Sequence, residues 1–140
     1  MKLKKFNEEN TPRTRRCDPT IRFVRKTGLI SISAEAGRIL GMNSGDARLE
    51  FFQNEEVPKD WYISLTHDQQ GFQFRSKGRL YLLNSVSMSR NILDSLKTDR
   101  PGLASGEIDI TKGATFRIST TPVLQGEKKL YYIITGKPLK

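Results

Sequence analysis

The side chains that most often carry enzyme chemistry are scarce in this chain. Its 140 residues include one cysteine, Cys17, and one histidine, His67, which stands in the polar segment Thr-His-Asp-Gln typical of a surface turn. One Cys and one His cannot form a usual four-ligand zinc site. The adjacent acids Glu55 and Glu56 point apart on an extended loop, so solvation is favoured over acid–base catalysis. We found no glycine-rich phosphate loop and no nucleophile–base arrangement. The sequence therefore predicts a protein that is not an enzyme, with no catalytic residue, metal, cofactor or small-molecule substrate.

Basic side chains are concentrated at the beginning of the chain. The net charge is +9, and residues 1–28 supply +6 of it, from nine basic side chains minus three acidic ones. The nine are Lys2, Lys4, Lys5, Arg13, Arg15, Arg16, Arg22, Arg25 and Lys26. Lysine and arginine side chains placed on phosphates release condensed counterions, so this pattern is typical of an arm that contacts a polyanion. A solubilising tail has the same charge pattern, and charge alone leaves both interpretations open.

Aromatic residues alternate with basic ones in the middle of the chain. Phe72, Phe74 and Tyr81 are interleaved with Arg75 and with further cations at 77 and 79. Such a surface could stack the bases of a single-stranded nucleic acid. Alternation is also what a sheet face packed into the core produces, and it favours that interpretation for most of these residues.

The segments that must position these residues are mostly short strands. Polar residues 1–18 predict a flexible basic arm, with a single β-rich domain over 19–140. Within it, alternating apolar residues and glycine turns predict eight strands. These are 20–25, 29–33, 48–52, 61–65, 72–75, 80–83, 115–119 and 130–135. Two helices are predicted over 34–40 and 86–97, the first between Ser33 as N-cap and Gly41 as C-cap, the second capped by Asn84 or Ser85.

The two halves of the domain have the same predicted order of elements. Residues 19–66 and 71–136 each read strand, glycine turn, strand, helix, strand, strand. Gly28 and Gly78 occupy corresponding turns. The predicted fold class is therefore mainly β with two short helices (α+β), with internal duplication of a ββαββ unit as a hypothesis.

Residues 20–53 carry a pattern of glycines and apolar residues with a characteristic spacing. It runs from Gly28 through Leu40-Gly41 to Gly45-Asp46. In this pattern the chain resembles the AbrB-like swapped-hairpin family of DNA-binding proteins. The resemblance implies a β-hairpin/short-helix barrel, and it implies that arginines on the first strand and the short helix, here Arg22 and Arg38, touch DNA. Leu29, Gly37 and Ser33 depart from the family's usual residues, and the second half lacks the Leu-Gly…Asp signature.

Several functional hypotheses follow from these features. The first is a cytoplasmic DNA-binding protein, an AbrB-like transcriptional regulator, with contacts from Arg22, Arg25, Lys26 and Arg38 and from the arm through Arg13, Arg15 and Arg16. The alternative is a structural or assembly protein of a phage or mobile element that binds protein. A third is single-strand binding through the central aromatics. A homodimer is also predicted, because a lone swapped hairpin cannot bury both of its faces. No apolar run is long enough to span a membrane.

Overall fold

The described part of the chain is a β-rich domain with two helices. The computed structural model describes residues 2–3, 18–43, 46–97 and 112–139. In chain order these residues form β1 (Thr20–Val24), β2 (Leu29–Ile32), α1 (Ala34–Leu40), β3 (Arg48–Gln53), β4 (Trp61–Thr66), β5 (Arg75–Lys77), β6 (Leu80–Asn84), α2 (Val86–Lys97), β7 (Gly113–Ile118), β8 (Val123–Gln125) and β9 (Lys128–Leu139). The predicted class, mainly β with two helices, is confirmed.

The strands form one curled antiparallel sheet. Its order is β3-β4-β9-β7-β1-β2-β6-β5, with β8 paired to β9 beside this path. The two ends of the path meet where Leu49 of β3 and Phe72, three residues before β5, exchange backbone hydrogen bonds of 3.0 and 2.8 Å. The sheet therefore curls until its two edges touch, as in a barrel.

The strand pairing has a two-fold pattern. Each strand of the first half has a counterpart in the second: β1 corresponds to β5, β2 to β6, β3 to β7 and β4 to β9. The pairs β1–β2 and β3–β4 of the first half recur in the second half as β5–β6 and β7–β9. Two further pairs, β2–β6 and β4–β9, join a strand to its own counterpart. The β1–β7 pair becomes the contact between β5's segment and β3. Duplication of the unit stays a prediction, but each half completes the other's sheet. The reasoning behind the predicted homodimer therefore does not apply to this fold.

Phenylalanine rings fill the space that the sheet encloses. Phe23 of β1 lies 6.2 Å from Phe116 of β7 and 6.3 Å from Phe51 of β3, measured between ring centroids. Phe51 lies 5.8 Å from Phe72. Because β1 and β3 are not neighbours in the sheet, the second contact crosses the interior. Side chains on β1 and β2 alternate between the interior and the outside of the sheet, so Ile21, Ile30 and Ile32 lie in the core beside these rings. None of the three is exposed.

The two helices start from opposite ends of the β1–β2 hairpin. Ser33 caps α1 by accepting a hydrogen bond from the Ala36 backbone, and Gly41 ends the helix in the left-handed conformation, as predicted. Ser85 caps α2, and its backbone N–H bonds the Gly28 carbonyl in the turn at the other end of the hairpin. Neither described helix is long and apolar enough to cross a membrane.

One predicted strand is displaced, and one strand of the structure was not predicted. The fifth strand was predicted over 72–75 with its turn at 76–78, but it spans Arg75–Lys77 and turns at Gly78-Arg79. Lys77 pairs with Leu80, so the turn has two residues with a positive-φ glycine first, as type II′ turns require. The strand Val123–Gln125 was not predicted, because its three residues are exposed and show no apolar alternation.

Candidate nucleic-acid interface

Five adjacent strands carry exposed cations and no acidic residue. The strands β7-β1-β2-β6-β5 hold Arg22, Arg75, Lys77 and Arg117. Glu50 on β3 is the one acidic residue within a strand of the described segments, and the other acidic side chains there lie on helices, turns and connections. We call the outer side of these five strands, with their turns, the basic face. Its exposed cations are Arg22, Lys26, Arg75, Lys77, Arg79, Lys112 and Arg117.

A shallow groove runs along β1 and β7 within the basic face. It has a volume of about 460 Å³, and Arg22 and Lys112 are among its lining residues, with Thr115 and Leu139. Arg22 and Thr115 are direct partners across the β1–β7 ladder, so both side chains stand on the same outer surface. Flanking residues Ile21 and Phe23 point inward and are fully buried, which fixes Arg22 outward. The predicted contact at Arg22 is therefore accessible to a ligand.

Lys26 and Arg25 are adjacent in the turn after β1, but their surroundings differ. Arg25 donates to both carboxylate oxygens of Asp94 on α2, at 2.6 and 3.5 Å, and its side chain is 32% exposed. This ion pair joins α2 to the β1–β2 turn, which gives Arg25 a structural role and leaves it out of the contacts we assign. Lys26 is exposed, so its ammonium group is accessible to a ligand.

Arg38 lies on α1, outside the basic face. Its side chain is 71% exposed, and its guanidinium donates to Glu35 one turn earlier. These hydrogen bonds lower the pKa of the Glu35 carboxyl, against the opposing effect of its desolvation. The pairing with Glu35 offsets the charge of Arg38, so the structure does not bring Arg38 together with Arg22 in one electropositive surface.

The three aromatic residues of the single-strand hypothesis lie against the core. Phe72 packs edge-on to Phe51, and the rings of Phe74 and Tyr81 meet edge to face at 5.7 Å. A Cβ added at Gly37 would lie 2.2 Å from the Tyr81 ring, so α1 rests directly on that ring. All three are partly buried and pack on the hydrophobic cluster. This placement agrees with the interpretation that these rings pack into the core, which the alternation of residues favoured. It does not agree with a flat platform on which bases could stack.

Arg13, Arg15 and Arg16 lie outside the described residues. So does the arm of residues 1–18 as a whole, apart from residues 2–3 and Asp18. Asp18 accepts a hydrogen bond of 3.3 Å from Arg117 at the edge of the basic face. The ion pair is exposed on both sides, so it offsets part of Arg117's charge and contributes little to stability.

The chain's single histidine lines a polar pocket of about 430 Å³. Its Nδ1 is 3.2 Å from a carboxylate oxygen of Asp46, and both side chains are well exposed. Arg48 also lines this pocket but is held by the Gln69 carbonyl at 2.6 Å. Over residues 18–43, 46–97 and 112–139, no three His, Cys, Asp or Glu side chains are grouped closely enough to hold a metal ion.

Sequence reasoning missed Lys112 as a member of the candidate site. Its place beside Arg22 results from the long-range pairing of β1 with β7, which no local pattern reveals. One signal was readable in advance: residues 69–93 contain four basic and no acidic side chains. That run covers β5 and β6, two of the five strands of the basic face.

Comparisons with protein-family models, with curated proteins and with solved structures yield no match for this chain. A function for this chain is therefore inferred from the geometry and charge of the described residues.

Proposed function

We propose that this chain binds double-stranded DNA through the basic face. The observation that carries the proposal is the exposure of Arg22, Arg75 and Lys77, none of them in an ion pair with a described residue, on five adjacent strands that hold no acidic residue. A surface of one charge sign attracts a polyanion along its whole length, and release of the polyanion's counterions makes binding favourable.

The resemblance of residues 20–53 to the AbrB-like family supports DNA binding through the same surface. In the AbrB-like family an arginine on the first strand touches DNA, and Arg22 stands at the matching position, exposed within the β1–β7 groove. A role in transcriptional regulation is a more specific form of this proposal. It requires a preference for particular sequences, which base contacts would supply and phosphate contacts would not.

The two alternatives have less support. A protein-binding assembly role would be favoured by a large exposed apolar patch. The exposed large hydrophobic residues among those described are spread over different elements, with a single adjacent pair, Val123-Leu124, on β8. Single-strand binding needs exposed ring faces, and Phe74 and Tyr81 direct theirs toward each other and the core.

The test compares two charge-matched double variants. Arg22→Gln with Lys112→Gln removes two cations from the groove. Lys59→Gln with Lys129→Gln removes two exposed cations outside the basic face. Fluorescence anisotropy with a labelled duplex of about 20 base pairs at about 50 mM salt gives each affinity. Each phosphate contact contributes a factor of about ten at that salt, so the groove variant should bind about 100-fold more weakly.

The control variant should keep its affinity within about threefold, the long-range electrostatic effect that exposed, screened charges retain. Circular dichroism must show that both variants are folded. Failure of the wild-type chain to bind any duplex at about 50 mM salt contradicts the proposal. Equal losses in the two variants would show that binding depends on net charge and not on this face.

A further inference from the structure

Two tyrosine rings lie side by side on the outer surface of β4 and β9. Tyr62 and Tyr132 are directly paired in register, and their ring centroids are 5.5 Å apart. Their neighbours along the two strands, Trp61, Ile63 and Ile133, belong to the core. Because side chains alternate along a strand, the two tyrosines point outward, and both are partly exposed. Neither strand belongs to the basic face.

A carboxylate stands beside this ring pair. The Tyr132 hydroxyl donates a hydrogen bond of 3.1 Å to Oδ1 of Asp60, which immediately precedes β4. Burial, followed by this hydrogen bond, raises the pKa of Tyr132, so the hydroxyl is protonated at neutral pH and the bond is kept. Asp60 forms no ion pair with any residue of the described segments. No cation from those segments therefore neutralises its charge.

The same outer surface holds one cation between a ring and a carboxylate. Phe52 on β3 is paired in register with Tyr62, so the row of outward rings continues by one strand. The ammonium nitrogen of Lys128 lies 5.4 Å from the centroid of the Phe52 ring and 2.6 Å from a carboxylate oxygen of Glu50. The tyrosine pair and its carboxylate are the same combination of groups, without a cation from the described segments.

We infer that Tyr62, Tyr132 and Asp60 bind the guanidinium group of an arginine side chain that a partner polypeptide presents. A guanidinium group is planar and stacks on aromatic faces while its N–H groups donate to a carboxylate. The negative faces of the rings and the charge of Asp60 both attract a cation, so the site and the guanidinium group are complementary in charge. The same carboxylate repels phosphate, so this surface is separate from DNA binding by the basic face.

The shape of the surface suits an extended polypeptide. The row of Phe52, Tyr62 and Tyr132 extends over two strand spacings, about 10 Å, which is the length of about three residues of an extended chain. A segment lying along this row brings one arginine to Asp60 and covers the other ring surfaces with its neighbouring residues. Tyrosine and arginine are also among the residues that contribute most to binding at protein–protein interfaces.

The experiment titrates the full chain with three five-residue peptides in which glycine alternates with arginine, with lysine or with citrulline. Citrulline has nearly the shape of arginine but no charge. Salt at about 150 mM screens charges beyond about 8 Å and so limits the long-range repulsion between these cationic peptides and a chain of net charge +9. Two-dimensional NMR should show saturable shifts of the Tyr62 and Tyr132 resonances with the arginine peptide. The citrulline peptide should bind at least tenfold more weakly, because its hydrogen bonds to Asp60 are not charge-assisted.

Four single variants test the assigned groups. Asp60→Asn keeps an acceptor for the Tyr132 hydroxyl but removes the charge, and it should weaken binding of the arginine peptide about tenfold. Glu127→Gln removes an exposed acid from the β8–β9 turn and should leave binding unchanged. Tyr62→Leu should weaken binding by a factor of about 2–5, the contribution of an exposed ring to a cation. Tyr62→Phe keeps the ring and should bind like the wild type.

Several results would overturn the inference. They are the absence of shifts at the two tyrosines, equal affinity for the arginine and citrulline peptides, or equal affinity of Asp60→Asn and Glu127→Gln. Equal affinity for the lysine peptide would overturn the assignment to a guanidinium group. Unchanged melting temperatures of the variants show that the losses are not due to unfolding. Asp60→Asn should bind duplex DNA as tightly as the wild type, so failure of this inference leaves the proposed function standing.

Discussion

Two glycines that occupy corresponding turns in the sequence should respond very differently to alanine. Gly28 and Gly78 both have positive φ angles, +72° and +61°. A Cβ at Gly78 would meet no atom within 4 Å, whereas at Gly28 it would lie 2.5 Å from the Val86 backbone nitrogen and 2.8 Å from the Ser85 carbonyl carbon. These are backbone atoms at the start of α2 and cannot rotate away.

The magnitudes follow from these distances. Gly78→Ala should lower the free energy of unfolding by about 1 kcal/mol, the cost of alanine in the left-handed region. Gly28→Ala has that cost and must also displace the first turn of α2, a strain of about 1–3 kcal/mol when a packed site is overfilled. For a domain of this size 1 kcal/mol corresponds to about 3–4 °C, so the expected falls in melting temperature are about 4 °C and about 7–14 °C.

Thermal and urea unfolding monitored by circular dichroism would measure both variants. Asparagine provides a second comparison, because it tolerates positive φ but still carries a Cβ. Gly78→Asn should recover most of the stability that Gly78→Ala loses, and Gly28→Asn should recover little. Equal destabilisation of Gly28→Ala and Gly78→Ala would refute the reasoning, since it would mean that α2 is not seated against the β1–β2 turn.

Three further variants test other contacts. Trp61 is 5% exposed and its indole N–H donates to Ser95 at 2.8 Å, so Ser95→Ala should cost about 1–3 kcal/mol in urea unfolding; an unchanged midpoint would contradict this bond. Burial, followed by its hydrogen bond to Asp60, raises the pKa of Tyr132. Its contribution to stability is therefore present below the unfolded-state pKa of about 10 and is lost as the pH rises through the folded-state pKa. The melting temperature of the wild type should fall more steeply above pH 10 than that of Tyr132→Phe, and parallel curves would contradict this. A chain that begins at Pro19 should keep its melting temperature but bind DNA with a shallower salt dependence; an unchanged salt slope would show that the removed residues do not contact phosphate.

Local signals in the sequence were sufficient for the helices and most strands. Ser33 and Gly41 mark the ends of α1 because capping depends on neighbouring residues alone. The helical spacing of Ile92, Leu93 and Leu96 marks the apolar side of α2 equally well, and all three are buried. These features depend on spacing along the chain, which the sequence states directly.

The features that the sequence left out depend on long-range contacts. The bridge between Leu49 and Phe72 closes the sheet through two backbone hydrogen bonds, and backbone bonds place no demand on residue type. Lys112 reaches Arg22 through the same kind of pairing. Arg25 was predicted as a DNA contact because of its charge, but its role depends on Asp94, which is 69 residues away. Charge alone could not distinguish a surface cation from one held in an ion pair.

The salt dependence of DNA binding by the wild-type chain tests the central claim most directly. Six cations of the basic face have no ion pair with a described residue: Arg22, Lys26, Arg75, Lys77, Arg79 and Lys112. Each phosphate neutralised on a duplex contributes about −0.9 to the slope of log K against log salt concentration. If most of the six contact phosphate, a titration series between about 50 and 300 mM salt should give a slope of about −4 or steeper. A slope near zero, or no binding at the lowest salt, would contradict the assignment of this face to DNA.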